Sequence, residues 1–336
     1  MKPTLKQSVA KTVSNARKRR GISQEELAYR ANLDRTYVSG VERGVRNITL
    51  DSLERIIKGL NLDISSFLKE VLHGLTTQNN VSLQYKVRCY SSFSILDAFG
   101  KKIKVHASLF EKSLKRAHEI IDKIDGFEVN ISEILGMRNL SALIGELFVI
   151  SFAKESGGLF LKNPHQDGYP DLLLMDEKGK KVIEQLKTQN RLKEKTPFSP
   201  FLNGGLEVKA TCGDVPTPKE CAKKRLEKPD VGDQRIAFLK SYNWKAHHRE
   251  TNNLIGLLWD FIDRKPRIVA AFFCSSLEEN DWGKIVKPRS KGGRTTSVSI
   301  MTRKGVKKMF ENWVIIIDDQ RYRKFLNKYN KADLLE

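Results

Sequence analysis

The first seventy residues are punctuated so closely that only short helices fit between the signals. Ser23, Asp34, Thr49 or Asp51, and Ser65 each stand just before an apolar-periodic stretch, where a short polar side chain can accept from the free amides of a first helical turn, while Gly21 and Gly44 follow such stretches as helix stops. Leu5, Val9, Val13 and Ala16 share one helical face over residues 5–19, and Glu26 completes a capping box with Ser23. The spacing predicts helices over 5–19, 24–31, 34–42, 50–60 and 65–72, an all-helical unit with a polar boundary at residues 74–80, GLTTQNN.

Beyond that boundary the periodicity changes. Residues 106–124 and 131–155 read as helices, whereas Asp171 to Met175, Leu206 to Thr211, Asn253 to Phe261 and Ile268 to Cys274 read as strands. The expected architecture is multidomain: a helical bundle over 1–75, a linker or bridging segment over 76–105, and an α/β domain with a mixed central sheet over 106–336. Residues 186–204 lack a period and are expected to form a long loop, and KKVIEQLKT, residues 180–188, to form an inserted strand.

Charge bears on the partner. The 336 residues hold 60 Lys and Arg against 40 Asp and Glu, a formal net charge of +20, and residues 1–70 carry +6 of it, so both parts of the chain can face a polyanion. Cys89, Cys212, Cys221 and Cys274 show neither CxxC nor Cys/His ligand spacing, which argues against a zinc site and a disulfide framework. No stretch has the length of a membrane span and no apolar run follows the basic start, so a cytoplasmic location is expected.

The string RKRRGISQEELAYRANLDRTYVSGVERGVRNITLDSLERIIKGLNLDISSFL resembles the Cro and phage-repressor type of helix-turn-helix over about residues 5 to 72. Leu27, Ala28, Ala31, Val38 and Val41 have the spacing to pack the second and third helices together, leaving Arg35, Thr36, Tyr37 and Ser39 outward. The resemblance implies binding of double-stranded DNA, with Gln24 on a phosphate, Arg35, Thr36 and Ser39 reading base edges beside Tyr37 on the DNA-binding face, and Arg43 and Arg46 on the backbone. Arg17 and Glu42 match the positions of a buried ion pair in that family.

A second constellation lies in Tyr169, Pro170 and Asp171 ahead of an apolar run, followed by GGLEVKAT at 204–211. Strand alternation puts Glu207 and Lys209 on one face, expected to be solvent-facing, and Leu206 and Val208 on the other. If Asp171 lies on the neighbouring strand, two carboxylates meet, which is unfavourable unless a cation joins them, and oxygen donors select a hard ion. The pattern resembles the PD-(D/E)xK nucleases, read as Pro170, Asp171, Glu207, Val208 and Lys209. That resemblance implies Mg²⁺ held by Asp171, Glu207 and Val208, catalysis by Asp171, Glu207 and Lys209, and a further acid from Glu146 on the preceding helix. Glu184 and Lys187 form a weaker rival for the acid and the amine.

A basic stretch at 219–250, including Arg235 and interleaved with Tyr242, Trp244, His247 and His248, suits either a DNA groove or a solvated face, and KPRSKGGRTTS at 287–297 suits a phosphate-wrapping loop. Together these features imply a type II restriction endonuclease, a homodimer matched to a palindrome, with a companion methyltransferase acting on the same site. The rivals are a non-catalytic transcriptional regulator and a repair or recombination nuclease. The amino-terminal domain would read either the cleavage site or its own promoter.

Overall fold

The computed structural model describes residues 4–76, 83–88, 92–97, 99–125, 131–224, 227–246, 253–287 and 297–328. The chain divides into two compact units, Met1–Leu83 and Gln84–Glu336. GLTTQNN from Thr77 onward, Cys89, His247 and His248, Arg225 and Arg249 of the basic stretch, and residues 288–296 of the second basic loop lie outside the described residues.

The first unit is helical: α1 (Leu5–Arg19), α2 (Gln24–Ala31), α3 (Arg35–Glu42), α4 (Leu50–Gly59) and α5 (Ile64–Thr76). Its helices begin where their caps do, because Thr4, Ser23, Asp34 and Thr49 each accept from an amide of the following turn. The fifth helix departs from expectation by one cap, since Asp63 rather than Ser65 accepts, from the Ser66 amide. Asn32 closes α2 in the left-handed conformation that a turn this tight requires. Val9, Val13, Ala16, Leu27, Ala28, Ala31, Val38, Val41, Ile56, Leu60 and Phe67 form the buried centre.

In the second unit the chain runs β1 (Tyr85–Val87), β2 (Ser92–Leu96), β3 (Lys102–His106), α6 (Ser108–Asp125), α7 (Ile131–Ile134), α8 (Met137–Glu155), β4 (Phe160–Lys162), β5 (Leu172–Leu174), α9 (Glu177–Thr188), β6 (Gly205–Thr211), α10 (Pro218–Lys224), β7 (Lys245–Ala246), β8 (Leu254–Ile262), β9 (Lys265–Cys274), β10 (Ser299–Ile300), α11 (Arg303–Glu311), β11 (Trp313–Ile317) and α12 (Gln320–Asn327). Among the described residues a seven-stranded sheet has the order β1-β11-β9-β8-β6-β5-β4. It is mixed: β6 runs parallel to β8, while every other neighbouring pair in that order is antiparallel. One face packs against α6 and α8 through Phe110, Leu114, Phe148, Phe152, Leu206, Val208, Ile255, Leu257 and Phe273. On the other face Phe272, the neighbour of Phe273 and so of opposite direction, meets Trp244, Tyr242 and Phe310.

Three expectations change. Of the expected 76–105 linker or bridge, the described residues from Gln84 onward belong to the second unit: β1 is an edge strand of the sheet and β2 pairs with β3, since Tyr85, Phe93 and Val105 bury apolar surface against the large core. Residues 180–188 lie in α9 rather than in a strand, because Asp176 caps that helix through the Gly179 amide and Leu186 is buried with Val182 and Ile183 packed beside it on one helical face. Arg235, Tyr242 and Trp244 of the basic stretch are buried rather than groove-lining or solvated.

Candidate functional site

In the first unit, α3 presents the residues expected to face DNA. Arg35 and Thr36 are exposed, as are Arg43 and Arg46 just beyond the helix, whereas Tyr37 and Ser39 are half-buried. Arg35 is held only by a long contact of 3.4 Å to Glu25, both side chains being mostly in solvent, so its guanidinium is available. Asp34 accepts both the amide and the hydroxyl of Thr36, which holds its carboxyl below the ordinary range. Tyr37 packs against the helical core and its hydroxyl reaches the Asn47 carbonyl at 3.4 Å. The stem of Arg46 crosses Gly40 so closely that a Cβ there would sit 2.5 Å from the Arg46 Cγ, so a glycine is what lets the loop fold over the helix.

Beneath this surface Arg17 forks onto Glu42, Nε at 2.6 Å and Nη2 at 3.0 Å, and a third donor, Nη1, reaches the Ile22 carbonyl at 2.8 Å. Gln24 donates its amide to the same Glu42 carboxylate at 2.7 Å. Gln24 is therefore turned toward the ion pair in this structure rather than presented outward to a phosphate, because Glu42 has an acceptor to spare.

In the second unit the sheet register assembles the acids. Antiparallel pairing sets Leu172 opposite Leu206 and Leu173 opposite Gly205, which brings Asp171 level with Glu207. The approach is tight at Gly205, where a Cβ would lie 1.9 Å from the Leu172 carbonyl oxygen. Asp171 Oδ2 accepts from the Val208 amide at 2.8 Å and lies 3.5 Å from Lys209 Nζ, and Lys209 also pairs with Glu207. Asp171, Glu207 and Lys209 are thus together.

They are less exposed than expected. Glu207 retains 7% of its surface and its Oε2 has no hydrogen-bond partner, while the Asp171 and Lys209 side chains keep about a quarter of theirs. Burial pushes Asp171 up to about 6, with Glu207 adding to the rise and Lys209 and the Val208 amide opposing it. Burial alone would lower Lys209, but the attraction of Glu207 and Asp171 outweighs it and holds the ammonium above its ordinary value.

The donor set suits a hard divalent cation. Glu207 Oε2 is a buried acceptor without a donor, and Asp171 provides a second carboxylate. The amide and carbonyl of one strand residue point to the same side, so the Val208 carbonyl faces the Asp171 side as its amide does. Mg²⁺, which takes few protein ligands and keeps waters, fits two carboxylates and a carbonyl.

Glu146 does not join them. It is exposed on α8 and pairs with Lys162, the residue set opposite Leu172, because it stands at the solvent edge of that helix. Among the described residues no three His, Cys, Asp or Glu side chains gather closely enough to hold a metal. Glu184 and Lys187 are exposed on α9 and take no part.

Sequence reasoning missed Asn163. Buried, it donates its amide to the carbonyls of Pro170 at 2.9 Å and Phe198 at 3.0 Å, and its own backbone amide donates to the Asp171 carbonyl at 2.9 Å, so it ties the approach to Asp171 in place. An uncharged residue ahead of the motif leaves no chemical signal in the sequence.

Comparison with known proteins bears on the first unit. A helix-turn-helix family profile matches residues 13–67. The control protein C.BamHI of Bacillus amyloliquefaciens is 47% identical over 47 residues, 14% of this chain and 58% of that protein, so the match spans little more than half of that relative. The control protein C.SmaI of Serratia marcescens is 39% identical over 64 residues, 19% of this chain and 76% of that protein. A solved structure of the restriction-modification controller C.Esp1396I, a tetramer in complex with its natural 35 base-pair operator, is 41% identical, with 22% of this chain and 96% of that chain covered and a TM-score of 0.21. Among the described residues no helix is long and apolar enough to cross a membrane. Through residues 13–67, the chain belongs to the helix-turn-helix family of DNA-binding control proteins.

Proposed function

We propose that this chain joins an operator-reading controller domain to a Mg²⁺-dependent endonuclease domain. The controller half rests on the likeness of residues 13–67 to control proteins, which favours an operator over the cleavage site as the target of α3. The nuclease half rests on one observation: Asp171, Glu207 and Lys209 converge at the β5–β6 junction, with a buried carboxylate oxygen left unsatisfied.

In this reading Asp171, Glu207 and the Val208 carbonyl hold the ion. When bound, Mg²⁺ supplies positive charge to the scissile phosphate and acidifies water. Lys209 orients the attacking water and offsets negative charge growing on the phosphate oxygens. Asn163 and the Val208 amide keep the Asp171 carboxylate aimed, and the basic surface draws the duplex in. A two-fold assembly would supply one such site to each antiparallel strand.

A second reading, a regulator whose large unit catalyses nothing, is favoured by the matched relatives being control proteins. Incubating the purified chain with plasmid DNA and Mg²⁺ separates the two. Discrete fragments that vanish with chelator and in the Asp171→Ala and Lys209→Ala variants, with DNA binding retained, are expected. Intact plasmid under every divalent cation tried would leave the regulator alone.

A further inference from the structure

Arg235, in the basic stretch, is a buried cation with no ion-pair partner among the described residues. It keeps 7% of its surface, its Nε makes no hydrogen bond, and its Nη1 meets only the Met137 Sδ, at 3.9 Å. The acid that the Arg235 backbone meets is already filled: Asp260 accepts from the backbone amides of Arg235 at 2.8 Å, Ile236 at 3.0 Å and Phe261 at 2.8 Å, and from the Tyr322 hydroxyl at 2.8 Å. It holds the backbone at 235 and leaves the guanidinium uncompensated, a state that burial strongly disfavours.

Met137, which that guanidinium touches, is the first residue of α8, a helix of 19 residues. Its N-cap is Gly136, which offers no capping side chain, and its first turn holds no acid. The free amides of a first turn carry the positive end of the helix dipole. The guanidinium therefore lies one side chain away from a second positive group, and an anion held by both would satisfy them. That helix end is open: a Cβ built on Gly136 meets nothing within 4 Å.

We propose that the amino end of α8 and Arg235 form a binding site for a phosphate group. A guanidinium fork and a run of amides suit a tetrahedral oxyanion. The site is separate from the acids. Gly145 of α8 packs over Ala210, and Ser141 receives the Trp259 Nε1 at 3.0 Å, so α8 points its amino end beyond the far end of β6 from Glu207. The proposal stands whether or not the chain hydrolyses DNA. The phosphate comes either from a nucleic-acid backbone or from free phosphate, and the test divides these sources.

Thermal unfolding of the full chain is followed in inorganic phosphate and in chloride of equal ionic strength. Phosphate is expected to raise the transition of the second unit in the wild type. Arg235→Gln should remove that rise without lowering the transition in chloride. Gly136→Asp, which sets a carboxylate at the same helix end, should remove it too. Binding to an operator-free duplex is then measured against salt: in Arg235→Gln the logarithmic slope falls by about one if a backbone phosphate is the source and stays unchanged if free phosphate is. A wild type that responds to neither probe, or a response that survives in both variants, overturns the site.

Discussion

The Val208 amide donates to the Asp171 carboxylate over 2.8 Å, so the residue between the acid and the amine of the β6 motif aims the acid that precedes β5. Orientation of that carboxylate comes from backbone, which no substitution of Val208 by another non-proline residue removes.

Asp171→Asn keeps an acceptor for that amide and removes the charge. Under the nuclease reading, Mg²⁺-dependent cleavage should fall at least a hundredfold, the cost of removing a directly acting charged group, while unfolding temperature stays within a degree or two. Cleavage assays beside thermal melts check this, and undiminished cutting would reassign the metal ligands.

Lys209→Met removes the cation between two acids. In chelator the second unit should lose about 2 kcal/mol, below the figure for a fully buried pair because Lys209 is partly exposed. Mg²⁺ should restore more stability to the variant than to the wild type. Denaturant unfolding with and without Mg²⁺ gives the comparison.

On α3, Arg35→Ala should weaken operator binding by about 1–3 kcal/mol and relax discrimination at one base pair. Arg43→Ala should weaken all duplexes alike and reduce the salt slope by about one. Neither should shift stability, both side chains being exposed. Titration against operator and scrambled duplexes at several salt concentrations distinguishes them.

Arg17→Met leaves the buried Glu42 with Gln24 alone. The first unit should lose about 3 kcal/mol, and Arg17→Met with Glu42→Leu should recover part of it, since the stranded charge is the costly element. Amide exchange in α1 and α3 reports on that unit separately.

His118 makes the second unit's stability sensitive to acid. Its Nε2 accepts from the Ile268 amide at 2.9 Å, and burial, reinforced by Arg267, holds it down to about 3. Unfolded, the imidazole takes a proton near 6.5. Its contribution is therefore complete above pH 6.5 and is lost as pH falls from 6.5 toward 3. His118→Gln should flatten the stability profile over that window, read by unfolding at half-unit pH steps.

The helical unit was legible because its signals are local: Ser23, Asp34 and Thr49 act on amides two or three residues away. Asp171, Glu207 and Lys209 were legible as a set through the PD-(D/E)xK resemblance and strand alternation, although a gap of 36 positions is long for a simple hairpin; the antiparallel register came only with the structure. Burial of Glu207 was not, since it depends on β8 and β5 flanking β6 on both sides. Glu146 misled because a lone acid on an apolar helix looks the same whether it faces a site or Lys162. Three-residue β1 carries too few side chains to show a period.

The pairing of β1 with β11 also has a temporal side. Tyr85 lies opposite Ile317, so the edge of the large sheet is closed by strands from the two ends of its unit. During synthesis from the amino terminus, the helical unit, whose contacts close within the first 83 residues, is finished before most of the sheet has been made. A chain whose synthesis stops before residue 317 carries the whole helical unit, with its outermost strand still waiting for a mate.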